Sequence, residues 1–167
     1  TGQTDMWWLE LPQLCDRLAV VEFAWQAATH RYVLDSPQSR AQCRSVLRRL
    51  LMGLPYQAQR ELLGQVRGTL PERGFGELCL TGRELVQLDG EGLVSVGAHG
   101  HTHSNMRALT RAGKHEDVSA GKRILEGLLG HPIEHFAYPY GAAGEEEQAA
   151  VAACGFATAV SVGSGAV

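Results

Sequence analysis

The sequence predicts an α/β fold with parallel strands in its second half, preceded by a helical region. Three observations carry that expectation. From Leu93 onward, short apolar runs alternate with helix-period stretches: Leu93–Ala98, about Glu116 to Leu129, Ile133–Ala137, Glu145–Cys154 and Phe156–Val162. Strand–helix–strand–helix–strand at this spacing is two successive βαβ units, which require parallel pairing. The first strand runs into V-S-V-G-A-H-G-H-T-H-S-N, crowding His99, His101 and His103 together, and the second runs into Y-P-Y-G at Tyr138–Gly141. Both features then fall at the C-terminal ends of strands, where α/β sheets place their chemistry.

The first part of the chain shows helical periods. Met6 to about Ala28 reads as one long helix, with Leu9, Leu11, Leu14, Leu18 and a valine of Val20–Val21 on one stripe. Pro12 is tolerable only in a first turn. Tandem Trp7 and Trp8 suit either core packing or stacking on the flat C–H face of a sugar. Ser36 or Ser39 caps a second helix through about Met52, whose Arg44, Arg48 and Arg49 form a solvated face. Gly53 ends it, and Pro55 begins a third helix through about Val66. No strand is expected in the first 75 residues.

Farther on, Thr81 with Glu84 is a capping-box signature for a helix to about Asp89. Gly90–Gly92 turns the chain into the strand Leu93–Ala98, whose alternating Val94, Val96 and Ala98 suit burial on both faces. Gly130 and Pro132 stop the helix that ends at Leu129. Glu145, Glu146 and Glu147 favour the first turn of the next helix through its dipole.

Composition narrows the class. With 167 residues and 44% hydrophobic content the chain can bury a core, and 20% charged residues fits a globular protein. A net charge of −3 with no basic cluster gives no reason to expect nucleic acid. No apolar run reaches the roughly 20 residues of a transmembrane span. Cys15, Cys43, Cys79 and Cys154 lack metal-site or framework spacing and read as reduced thiols. They lean towards a cytoplasmic location over the cell envelope.

Neutral imidazole is the commonest protein ligand for zinc. A helical turn after Ala98 puts His99 and His103 at i and i+4 on one face, and an extended chain puts all three histidines on one side. Two imidazoles can converge on one ion in either case. A catalytic zinc takes about three protein ligands and a water, so a third ligand must come from elsewhere; His101 and His115 are the first places to look within the chain. A solitary loop histidine is usually a solvated side chain, but three at this density are harder to dismiss.

Taken together, G-A-H-G-H-T-H-S-N-M, then H-F-A-Y-P-Y-G, then E-E-E-Q-A-A-V-A-A-C-G-F-A-T-A-V resembles the polysaccharide deacetylases, the NodB-like enzymes of carbohydrate esterase family 4. The likeness runs from Leu78 to about Ser161, and Leu80–Leu88 resembles the helix preceding the family's histidine strand. It implies a distorted (β/α) barrel over residues 78–167, and a helical insertion or lid over residues 1–77. It also implies hydrolysis of a non-peptide amide in N-acetylated polysaccharide or saccharide. The implied cofactor is a divalent metal, zinc first, with cobalt or nickel as alternatives. His99 and His103 match the family's metal-binding histidines, and His101 a variable position. Thr102, Ser104 and Asn105 match small polar residues that shape the loop. Pro139 sets the course of the next loop, and Tyr140 supplies a backbone N–H for the oxyanion. Trp7, Trp8 and Tyr138 are candidate sugar contacts.

The sequence departs from the family at three places. No Asp-Asp pair is present to supply the base and third metal ligand, and Asp5 and Asp16 sit in helix-like sequence. No late motif brings the acid histidine; His131 and His135 match no family position and suit surface or supporting roles. Ala137 stands where an arginine often precedes the Pro-Tyr motif. These departures lead us to expect an internal piece of a longer enzyme, inactive alone and with the metal weakly held or absent. The alternative is a non-catalytic carbohydrate-binding or scaffold domain of the same fold.

Overall fold

The computed structural model describes residues 6–72 and 74–162. Two compact units divide the chain, Thr1–Leu80 and Thr81–Val167.

The first unit combines three helices with a hairpin. Helix α1 (Trp7–Arg17) ends well before the single helix expected to about Ala28. Strands β1 (Val20–Trp25) and β2 (Ala28–Val33) follow, paired antiparallel from Val20–Val33 to Trp25–Ala28. The expectation of a strand-free first region is therefore corrected. The physical reason lies in V-V-E-F-A-W, where Val21 and Phe23 alternate inward between exposed neighbours. That run is β-branched and aromatic, with period two rather than 3.6. Gln26 and Ala27 form the turn with φ of 49° and 60°. Two-residue hairpins favour this left-handed geometry, but usually signal it with Asn-Gly. Pro12 lies inside α1, beyond its first turn, where it donates no backbone hydrogen bond.

Helix α2 (Pro37–Met52) starts at Ser36, whose hydroxyl accepts from Ser39 N, and stops at Gly53. Helix α3 (Tyr56–Arg67) follows Pro55. Leu11, Leu14, Val21, Leu47, Leu51 and Leu62 are among the buried residues of this unit. Beside them, Glu10 on α1 accepts a bidentate pair from Arg67 on α3, Nε–Oε1 at 2.7 Å and Nη2–Oε2 at 3.0 Å. Asp16 is an exposed partner of Arg44 at 3.1 Å; Asp5 lies outside the described residues.

In the second unit, helix α4 (Gly82–Gly90) carries the expected capping box, with Thr81 N donating to Glu84 and Glu84 N to Thr81. Helix α5 (Arg111–Leu129) begins five residues earlier than the sequence suggested, because Thr110 accepts from Gly113 N and caps it. Gly130 closes it in the left-handed region, φ 78°. Strand β3 (His135–Ala137), helix α6 (Glu145–Ala153) and strand β4 (Thr158–Val160) complete the unit. β3 and β4 pair in parallel, and Ala98 forms a parallel bridge with Phe136 on β3. Parallel α/β pairing is thus present, around a core of Ala98, Met106, Val118, Ile133, Phe136 and Val151 with Tyr138.

The strand expected over Leu93–Ala98 contracts to that one bridge. Ala98 is buried, but Leu93 is 89% exposed and Val94 43%. An alternating apolar run adopts a ladder only where a partner strand lies on the other side, and among the described residues Ala98 alone pairs.

Glu10→Ala removes the bidentate partner of Arg67 and leaves it the longer contact to Glu72 at 3.7 Å; breaking a buried pair in this way typically costs about 3 kcal/mol. Glu10→Ala is therefore expected to lower the unfolding free energy by about 3 kcal/mol. Urea denaturation checks this, and a change below about 0.5 kcal/mol, typical of a surface site, would contradict it.

Candidate functional site

The candidate site follows Ala98. The chain leaves the bridge as a loop, neither helix nor strand, so the two geometries considered for the histidines are both replaced by a third. Gly100 turns it with φ 76° and His103 with φ 55°. The loop nevertheless brings the His99 and His103 rings together edge-on, with centroids 4.9 Å apart. His99 Nδ1 lies 2.7 Å from the carbonyl oxygen of Ala137. In the tautomer that donates this bond, Nε2 keeps the lone pair a metal needs. Burial, then the neighbouring His99, hold the His103 imidazole below its ordinary value of 6.5, which favours the neutral, ligating form.

The second arm is the turn after β3. Tyr138 N donates to Val160 O at 3.0 Å, and Pro139–Gly141 make one tight turn in which Tyr140 has φ 57°. The Tyr140 ring meets the His103 ring at 5.0 Å. Among the described residues of this unit, His103 and Tyr140 are the non-glycine residues with positive φ, and they touch. Such conformations cost of order 1–3 kcal/mol each, and persist where the surroundings impose them.

A residue absent from the sequence-based expectations holds the loop. Asp117 on α5 is 8% exposed; its Oδ2 accepts from His101 N at 3.2 Å. Its Oδ1 accepts from Thr102 N at 3.0 Å and from the Thr102 hydroxyl at 2.6 Å. Thr102 in turn shares a 2.8 Å bond with Ser104, and Asn105 accepts from Arg107 N at 3.1 Å. Helical spacing contained the signal: Lys114, Asp117, Val118 and Gly121 share one stripe of α5, and a carboxylate on a buried stripe needs donors. Gly121 lets α5 approach closely, since a Cβ there would stand 2.8 Å from the Gly100 carbonyl. Lys114, also buried, bonds Glu146 at 2.6 Å and Glu147 at 2.7 Å, tying α5 to α6.

The other sequence candidates separate from this cluster. Tyr138 is 6% exposed and packs edge-on against Phe136 in the core, which withdraws it from a sugar-stacking role. Trp7, 4% exposed, is likewise a core residue of the first unit. Trp8 is 37% exposed and lines a groove of about 540 Å³ with Pro12, Arg44 and Arg48. His131 pairs with Asp89 at 2.7 Å, and that hydrogen bond raises its pKa; His135 meets the Thr158 hydroxyl at 2.8 Å. His115 lines a groove of about 810 Å³ between α5 and α6 with Arg111, Glu145 and Glu146, a lining that excludes His99, His103 and Tyr140.

Two facing imidazoles, one with its second nitrogen engaged, fit half of a catalytic zinc sphere. Among the described residues no group of three His, Cys, Asp or Glu side chains gathers to hold a metal.

Paired imidazoles and a proline–tyrosine turn thus each follow one of two neighbouring parallel segments. Residues 80–159 match the polysaccharide deacetylase family, which supports a NodB-like polysaccharide deacetylase domain, as a fragment, in this part of the chain. No curated protein and no solved structure matches the chain. No helix among the described residues is long and apolar enough to cross a membrane.

Two glycines of α5 give opposite expectations. Gly127 has open space, so Gly127→Ala should stabilise the helix by up to about 1 kcal/mol. Gly121→Ala must push the Gly100 backbone away, and should cost about 1–3 kcal/mol while altering the His99 and His103 NMR signals. Equal effects at the two positions would refute the close approach.

The Lys114–Glu147 pair also sets a pH window. Burial pushes the Glu147 carboxyl up, but its bonds to Lys114 outweigh this and leave it below the ordinary 4.5. Its stabilising contribution is therefore complete above that value, and is lost as pH falls through the lowered folded pKa. Bonds to Glu146 and Glu147 raise Lys114 above 10.5, so its contribution is complete below 10.5 and lost as pH rises through the raised pKa. The stability gap between wild type and Lys114→Met should be flat from about pH 5 to 10 and shrink on either side. A gap still unchanged at pH 3 would contradict this.

Proposed function

We propose that the chain carries part of the active site of a metal-dependent deacetylase acting on N-acetylated polysaccharide or saccharide. The observation that carries this reading is the contact between His103 and Tyr140, two left-handed non-glycine residues on separate loops. Backbone strain shared by touching residues is a mark of a site held for chemistry rather than for folding. Both positions also coincide with the family's motifs.

In this reading His99 and His103 hold a divalent ion, zinc first. When bound, that ion acidifies a water and polarises the acetyl carbonyl. Asp117 and Thr102 keep the histidine loop in place, and Ala137 O orients the His99 ring. Pro139 directs the following turn, so that the Tyr140 backbone N–H can donate to the developing oxyanion. The general base, the third ligand and the acid that protonates the departing amine lie outside the described residues. The second unit is then one segment of a distorted (β/α) barrel, and the first an insertion whose Trp8 groove contacts saccharide. On this view the chain alone binds zinc weakly and releases little acetate.

The absence of a third ligand among the described residues favours a second reading, a carbohydrate-binding or scaffold domain that keeps the fold without catalysis. Zinc titration of the 167-residue chain, followed calorimetrically, should give weak binding that His99→Ala or His103→Ala reduces about tenfold or more. The full-length natural protein should release acetate from N-acetylated oligosaccharide only with metal. Zinc content unaffected by His99→Ala, with no acetate released from N- or O-acetyl saccharides, would leave the scaffold reading standing.

A further inference from the structure

Cys15 and Cys43 are buried with no exposed surface, one on α1 and one on α2. Each is a free thiol, and the two side chains adjoin, each being the first influence on the other's ionisation. Their surroundings hold them together. Arg40 donates to the carbonyl oxygens of Cys15 and Leu18, and Arg44 pairs with Asp16 at 3.1 Å. Arg40, Cys43 and Arg44 share one face of α2 at i, i+3 and i+4. The last turn of α1 is thereby tied to α2 at Cys15, Asp16 and Leu18. By contrast, Cys79 and Cys154 each donate to a backbone carbonyl, of Phe75 and His115.

We propose that Cys15 and Cys43 form an oxidisable dithiol that closes into a disulfide joining α1 to α2. Closure needs the sulfurs to approach to bonding distance, about 2.05 Å. A small-molecule disulfide such as glutathione disulfide serves as oxidant. Cys43, as the thiolate, attacks one glutathione sulfur and releases the other glutathione as a thiolate. Cys15, deprotonated in turn, attacks the Cys43 sulfur of the mixed disulfide and expels the second glutathione. Two protein thiols and one glutathione disulfide become one protein disulfide and two glutathione thiols. Burial makes the reaction depend on opening of α1 from α2, so it runs slowly in the folded protein and faster in mild denaturant. The bond closes a chain segment containing the whole β1–β2 hairpin, and this constraint on the unfolded chain should raise Tm by about 5 °C or more.

The test equilibrates the 167-residue chain in a glutathione redox buffer, quenches with acid, alkylates under denaturing conditions and maps the peptides. The expected result is loss of two of the four thiols, one Cys15–Cys43 cross-linked peptide and the higher Tm. The double variant Cys79→Ser/Cys154→Ser should still form the link, and Cys43→Ser should not. Because the wild-type map decides the matter, a poorly folding variant does not. Four thiols retained in oxidising buffer, or a link containing Cys79 or Cys154, would overturn the proposal.

Discussion

The carboxylate of Asp117 is the constraint on which the second unit's rim depends. A loop that leaves a parallel bridge at Ala98 carries backbone N–H groups away from any ladder. Donors of that kind need an acceptor, and a carboxylate group offers enough lone pairs for several at once. Asp117 takes the N–H groups of His101 and Thr102 and the Thr102 hydroxyl together. With those three bonds in place, His99 and His103 on either side of the anchored residues face each other. Gly121 allows the helix bearing Asp117 to come near enough for this. One helix stripe therefore both packs the core through Val118 and shapes the site through its polar member.

The chain's helices were largely legible because their ends are chemical signals. Ser36, Thr81 with Glu84, Gly53 and Gly130 mark boundaries that the structure retains. The β1–β2 hairpin was hidden for the complementary reason. Its turn residues, Gln26 and Ala27, carry no preference for the left-handed region they occupy, and Val20–Val21 extend the helical stripe of α1 by chance. At that point the tertiary burial of Val21 and Phe23 decides, and local sequence does not.

At the candidate site, residue identity was more legible than geometry. The resemblance to the polysaccharide deacetylases singled out His99, His103, Pro139 and Tyr140, and the structure gathers His99, His103 and Tyr140 at ring-contact distances. How they meet was not written locally. Convergence comes from a loop with left-handed residues and from a carboxylate over a dozen positions away, both products of packing rather than of periodicity. Two of the aromatic candidates, Trp7 and Tyr138, are buried for a related reason. Trp7 and Tyr138 are large and apolar, and a core claims such rings unless their surroundings keep them wet.

The exposed rim of β4 has a practical side. Thr158, Ala159 and Val160 are all exposed, and Val162 just beyond them is 84% so. A short apolar strand at a sheet margin is a template for another chain's backbone, and natural proteins usually blunt such margins with charge or proline. Neither occurs between Thr158 and Val162. Self-association of concentrated chain through this margin is the behaviour such a strand favours. A lysine placed on this margin is the modest change by which a stubborn preparation becomes a tractable one.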